Sequence, residues 1–161
     1  MPYTKITSYS DPTLDIWARF MRTRNILYKV FARDLGDLGI KPEQLGILNI
    51  IKKTDGVVTP ALISKIYRRE PHTISVNLKR LESRGLIRLL KDLQRRNMIR
   101  VEITEEGTRV WELGIKRTAS LSQVFQVLSA PELEQLDITI NKLADSASQV
   151  IARKMKIEIS K

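Results

Sequence analysis

The chain has 161 residues, 42% of them apolar and 29% charged, a balance that fits a globular protein and excludes a disordered or collagen-like one. With no Cys and a single His, it can build no disulfide, no thiolate site and no multi-His metal centre. The net charge of +10 is concentrated: residues 65–100 hold 11 basic and three acidic side chains, a surplus of +8, against +2 in the rest.

Such clustering is the footprint of a polyanion site, because each phosphate contact releases counterions. A solvated basic face, or one that attracts anionic lipid, is the alternative reading. No apolar run approaches the roughly 20 residues of a membrane span. The opening "MPYTKITSYSDPTLD" lacks the charged-then-apolar pattern of a signal peptide. A cytoplasmic protein with no membrane partner is expected. No EF-hand spacing or clustered Asp suggests a metal, and no cofactor is expected.

After a polar tail, residues 12–36 read as a long helix through Leu14, Trp17, Met21, Leu27, Val30, Phe31 and Leu35. Asp11 is a candidate N-cap with Pro12 at N1. Pro42 opens a second helix with Leu45, Leu48 and Ile51 on one stripe. Thr59 and Pro60 start a short third helix, "PALISKIYRR". A fourth runs from near Pro71 to Arg84 and closes at Gly85.

The period then changes. "LIRLLKD" (86–92) and "NMIRVEIT" (97–104) are β-prone, with the polar "LQRR" between them as a hairpin tip. Thr104, Glu105 and Glu106 start a helix expected to run without interruption to about Leu128. "SAPE" (129–132) fits a capping box for a last helix carrying Leu133, Leu136, Ile140, Leu143, Ala147, Val150 and Ile151. The long flanking helices carry more apolar surface than the small middle lobe can cover. They must bury against each other or against a second chain.

The fourth helix has two faces. At about 100° per residue, Ile74, Leu78 and Leu81 point one way. His72, Val76, Lys79 and Ser83 point the other, with Thr73, Ser75 and Arg80 on the borders. Hydroxyls and Lys suit base edges and phosphates, and Val76 suits a thymine methyl. The alternative is an ordinary exposed face, with Val76 in a helix–helix contact. Arg95 and Arg96 on the hairpin tip suit a narrow minor groove, although Arg at such tips also serves solubility alone. Lys65, Arg68 and Arg69 precede the helix as candidate phosphate contacts.

Helix–turn–helix followed by "LESRGLI", a basic hairpin and "VEITEEG" resembles the winged-helix core of the MarR-type transcription regulators. The resemblance covers roughly residues 12–155; "REPHTISVNLKRLESRGLI" and "IRVEITEEG" are its strongest parts. It implies a mainly α fold with a small β-hairpin, divided into an N-terminal tail (1–11), a dimerisation helix (12–39), a winged helix-turn-helix lobe (40–104) and C-terminal dimerisation helices (105–161). It implies a homodimer reading an inverted repeat on double-stranded DNA. His72, Thr73, Ser75, Val76, Lys79 and Arg80 then face the major groove, and Arg96 matches the family's wing arginine.

Gln94 stands where relatives often carry an acid, and Lys41 where they often carry a capping Thr, so the wing and the second helix each lose a usual support. Many relatives bind small phenolic or aromatic acids between the dimer and DNA lobes. Trp17, Tyr28 and Trp111 are candidates to line such a crevice, or else they are dimer-core aromatics.

The expected function is therefore a DNA-binding transcription regulator, a repressor released by a small aromatic ligand. The alternative is a winged-helix module for protein or RNA, which needs large apolar anchors on the hairpin or the fourth helix, where few are expected. An enzyme is not expected, because there is no Gly-rich phosphate loop and no Ser/His/Asp pattern.

Overall fold

The computed structural model describes residues 9–91 and 98–159, with side chains through residue 153. The order is α1 (Pro12–Asp34), a 3-10 turn (Gly36–Leu38), α2 (Pro42–Lys53), α3 (Pro60–Tyr67), α4 (Pro71–Ser83), β1 (Ile87–Lys91), β2 (Ile99–Ile103), α5 (Glu105–Lys116), α6 (Ala119–Phe125) and α7 (Ala130–Ile159). The chain forms two compact units, one through Leu121 and one from Ser122. Among the described residues, no helix is long and apolar enough to cross a membrane.

The helix starts follow their caps. The Asp11 carboxylate accepts from the Leu14 N–H at 2.8 Å, and Thr59 Oγ1 from the Leu62 N–H at 3.2 Å. Lys41 supplies no side-chain acceptor to α2, yet the Gln44 side chain accepts from the Lys41 N–H at 2.9 Å. One half of a capping box thus makes up for the missing Thr. At α7 the Glu132 carboxylate accepts from both the N–H and the hydroxyl of Ser129, which holds it below its usual pKa.

The core of the first unit lies between α2, α3, α4, α5 and the hairpin. Leu48, Ile63, Ile74, Leu78, Leu81, Leu86 and Ile87 are buried in it. Ile47, outside the expected α2 stripe, is fully buried as well. Val110 and Trp111 of α5 belong to the same core, so the lobe reaches past the expected boundary at residue 104. Trp111 also donates from Nε1 to Asn49 Oδ1 at 3.1 Å.

β1 and β2 pair antiparallel, with Ile87 opposite Ile103 and Lys91 opposite Ile99. Val101 N–H donates to the Val58 carbonyl, so the segment before α3 flanks β2. The motifs "LESRGLI" and "VEITEEG" interlock. Gly85 takes a positive φ of 69° that turns the chain out of α4. Thr104 Oγ1 donates to the Gly85 carbonyl at 2.7 Å and accepts from the Gly107 N–H at 2.9 Å. A Cβ on Gly107 would be driven into the Leu86 carbonyl oxygen, so only Gly lets α5 pack this closely on the hairpin.

The uninterrupted helix expected from 104 to 128 is two helices, α5 and α6, broken at Arg117 and Thr118. Arg117 leaves the helical region with ψ 59°. The break is held from the end of α1. The Asp34 carboxylate accepts from the Ser120 N–H and hydroxyl, capping α6 from outside its own segment. Arg117 pairs with Asp37 at 2.8 Å. Apolar spacing alone could not register partners some 80 residues away.

Candidate nucleic-acid interface

α3 and α4 are joined by a tight, well-tied turn. Arg68 adopts the left-handed conformation with φ 51°, the only non-Gly residue to do so among those described. The Arg69 N–H donates to the Ser64 carbonyl at 3.1 Å, and Ser64 Oγ returns a bond to the Arg69 carbonyl. Pro71 then starts α4 at N1.

Ile74, Leu78 and Leu81 anchor α4, each no more than 1% exposed. Opposite them, His72 and Lys79 are exposed, as are Thr73, Ser75 and Arg80 on the borders. Val76 differs from its neighbours. It is only half-buried and half-available, which limits the surface it can offer to a thymine methyl. Lys65 on α3 and Arg68 and Arg69 in the turn are exposed. Among the described residues, no carboxylate pairs with Lys65, Arg69, Lys79 or Arg80, so their charge faces outward uncompensated.

Two side chains not singled out from the sequence hold α4 in place. The Arg84 guanidinium donates to the carbonyls of Leu38 and Gly39, tying the end of α4 to the turn after α1. Glu82 Oε1 accepts from the Leu89 N–H at 2.9 Å, tying α4 to β1 of the wing. Neither carries a local signal, because each partner is a distant backbone group. The wing arginines Arg95 and Arg96, with Gln94 and Asp92, lie outside the described residues. The hairpin does expose two apolar side chains, Leu90 (39%) and Ile99 (41%), more than its sequence led us to expect.

The three aromatic residues considered for a ligand crevice do not gather. Trp17 is exposed on α1, Trp111 sits in the core, and only Tyr28 lines a cleft. That cleft has a volume of about 300 Å³ and lies between α1, α2, the end of α3 and one edge of α4. Tyr28 donates its hydroxyl to Glu43 Oε2 at 2.8 Å. Burial and the Glu43 carboxylate push the Tyr28 phenol up to about 12. Tyr67, also in the cleft, is raised by burial first and then by the charge of Glu43. Arg24 stacks over the Tyr28 ring at 5.8 Å from its centroid. Among the described residues, no group of three or more His, Asp or Glu is placed to hold a metal ion.

A helix-turn-helix whose second helix leads into an antiparallel hairpin defines a winged helix-turn-helix protein. Residues 38–92 match the model of the MarR family. Solved structures agree with it in fold. The organohalide-sensing RdhR transcriptional regulator in its 2,4-dichlorophenol-bound form is 23% identical, with a TM-score of 0.77 over 81% of this chain and 78% of that one. A mutant MarR from E. coli complexed with operator DNA is 19% identical, with a TM-score of 0.74 over 83% and 99%. The S. aureus MepR–DNA complex is 22% identical, with a TM-score of 0.71 over 85% and 99%. No curated protein sequence matches the chain.

Proposed function

We propose that this protein is a sequence-specific DNA-binding transcription repressor. It acts as a homodimer on an inverted repeat, and a small aromatic ligand releases it. The observation that carries the reading is the division of α4. Three apolar side chains fix it in the core, while His72 and Lys79 stand exposed on the far side amid exposed cations. Thr73, Ser75 and Arg80 border that face and Val76 sits within it. Lys65, Arg68 and Arg69 contact phosphates. Arg95 and Arg96 enter the minor groove from the wing.

Support for the homodimer comes from α1 and α7. Ile16, Trp17 and Phe20 of α1 are 51–64% exposed, and Leu143 and Ile151 of α7 are each 60% exposed. Apolar stripes of this size call for a covering surface. The DNA and ligand parts are supported by likeness to solved structures that contain operator DNA or a chlorophenol.

The test is a salt titration against duplexes selected from a random pool. Affinity should fall steeply with salt, the slope reporting the number of phosphate contacts. Lys79→Ala should weaken binding by about 1 kcal/mol or more without loss of fold. Affinity flat from low to moderate salt would sink the reading. It would favour instead a protein-binding wing built on Leu90 and Ile99.

A further inference from the structure

The end of α4 is held by two ties of opposite charge. Glu82 and Arg84 are both exposed, two residues apart, and each reaches backbone on a different element. Glu82 Oε1 accepts from the Leu89 N–H of β1. The Arg84 guanidinium donates to the carbonyls of Leu38, at 3.0 Å, and Gly39. Two carbonyls on one planar fork fix its orientation as well as its position. Gly39 makes the seat. It takes a positive φ of 62°, and a Cβ there would lie 3.2 Å from Nη2 of Arg84.

The short stretch that Arg84 grips has two further bonds. Asp34, at the end of α1, caps α6 through Ser120. Asp37 pairs with Arg117 at the break between α5 and α6. Residues 34–39 therefore hold the end of α4 on one side and the α5–α6 elbow on the other. From that elbow the chain runs through α6 into α7, whose exposed apolar stripe belongs to the proposed dimer surface. Arg84 thus links α4 to the junction that leads to the dimer surface. Glu82 acts within the lobe, between α4 and the wing.

We infer that Arg84 is a positioning residue that sets the half-site spacing accepted by the dimer. The inference rests on the DNA-binding homodimer read above and adds what selects the spacing of its operator. Two copies of α4 on one duplex must match it in distance and in phase. One base pair more or less between half-sites moves the second by about 3.4 Å and turns it by about 34°. A helix end fixed to the junction cannot follow that change, whereas a released one can swing. An exposed Arg could instead contact a phosphate. That role gives a uniform loss at every spacing and a smaller salt slope.

The test starts from the duplex selected by the wild-type chain, with one or two base pairs added or removed between its half-sites. Affinity at each spacing is measured by fluorescence anisotropy at fixed salt. The chains compared are the wild type, Arg84→Ala, Arg84→Lys and Glu82→Ala, each shown to be folded by urea unfolding. A second measurement needs no DNA. The chain has no Cys, so Ser83→Cys puts a single spin label on the exposed end of each α4. The distance between the two labels in the dimer is then read with and without each substitution.

The wild type should lose at least about tenfold in affinity for one base pair of mismatch, and Arg84→Ala about threefold or less. Arg84→Lys still donates to a carbonyl and should restore part of the selectivity. Glu82→Ala should bind more weakly at all spacings and keep the wild-type optimum. Arg84→Ala should broaden the distribution of label distances, and Glu82→Ala should leave it narrow.

An Arg84→Ala profile parallel to that of the wild type would overturn the positioning role and leave a phosphate contact. Equal flattening by Glu82→Ala would overturn it too, since any loosening of α4 would then suffice. Label distances unchanged by Arg84→Ala would overturn the link to the junction. A wild-type chain that binds no duplex would overturn the DNA reading and the spacing role with it, while broadened label distances would leave the tie standing. A monomeric chain would overturn the homodimer and the spacing role together.

Discussion

Leu81 of α4 and Leu143 of α7 each sit on an apolar stripe of helical period, yet Leu81 is fully buried and Leu143 is 60% exposed. The winged lobe closes on itself. Its stripes on α2, α4 and α5 meet the hairpin and α3, and the buried residues form one continuous core. The stripes of α1 and α7 leave Trp17, Phe20, Leu143 and Ile151 exposed in the single chain. The same sequence signal therefore has two meanings. In one region it marks a core, and in the other it marks surface that a partner must cover. Length explains part of the difference. A helix of 30 residues such as α7 extends about 45 Å, well beyond what a lobe of this size can cover.

The largest effect expected from this contrast is in the lobe. Leu81→Ala should lower stability by roughly 2–5 kcal/mol in urea unfolding, because it opens a cavity in the core. Leu143→Ala should leave lobe stability nearly unchanged. Equal losses at both positions would erase the distinction. Gly107→Ala tests the tightest contact of the lobe, where a methyl group meets the Leu86 carbonyl. A loss of about 1–3 kcal/mol is expected.

The α7 side is probed by association rather than unfolding. Leu143→Glu should weaken self-association at least about tenfold, or about 1.4 kcal/mol, in sedimentation experiments, while the lobe stays folded. An unchanged dimer, or a wild-type chain that is monomeric, would detach α7 from the proposed interface. A smaller effect is expected where α1 caps α6. Asp34→Ala should cost about 1 kcal/mol, the usual loss for a helix cap.

The smallest effect concerns pH. The Tyr28 phenol is raised from 10.0 to about 12 in the folded chain. The stability this contributes is complete below pH 10, and it declines as pH rises from 10 toward 12. Tyr28→Phe should remove the late-ionising phenol from a titration followed by tyrosinate absorbance. A titration unchanged by the substitution would place the raised phenol elsewhere.

Much of the architecture was legible because it is written locally. Asp11, Thr59, Ser129 and Gly85 mark their helix ends through bonds spanning a few residues. Periodicity separated Ile74, Leu78 and Leu81 from the exposed side of α4 for the same reason: the 3.6-residue repeat is a property of the helix itself. The divided α4 and the hairpin after it were therefore open to a reader of the sequence.

What the sequence left undecided depends on distant pairs. The break between α5 and α6 is held by Asp34 and Asp37 acting on Ser120 and Arg117, and nothing near residue 117 announces it. Trp17, Tyr28 and Trp111 looked alike as aromatics, but packing sent one outward, one to a cleft and one into the core. The cleft itself joins residues from α1 to α4, so it exists only after folding. Local backbone chemistry determined the elements. Only the tertiary structure decided which of their side chains meet, because contact between remote residues depends on how whole elements pack.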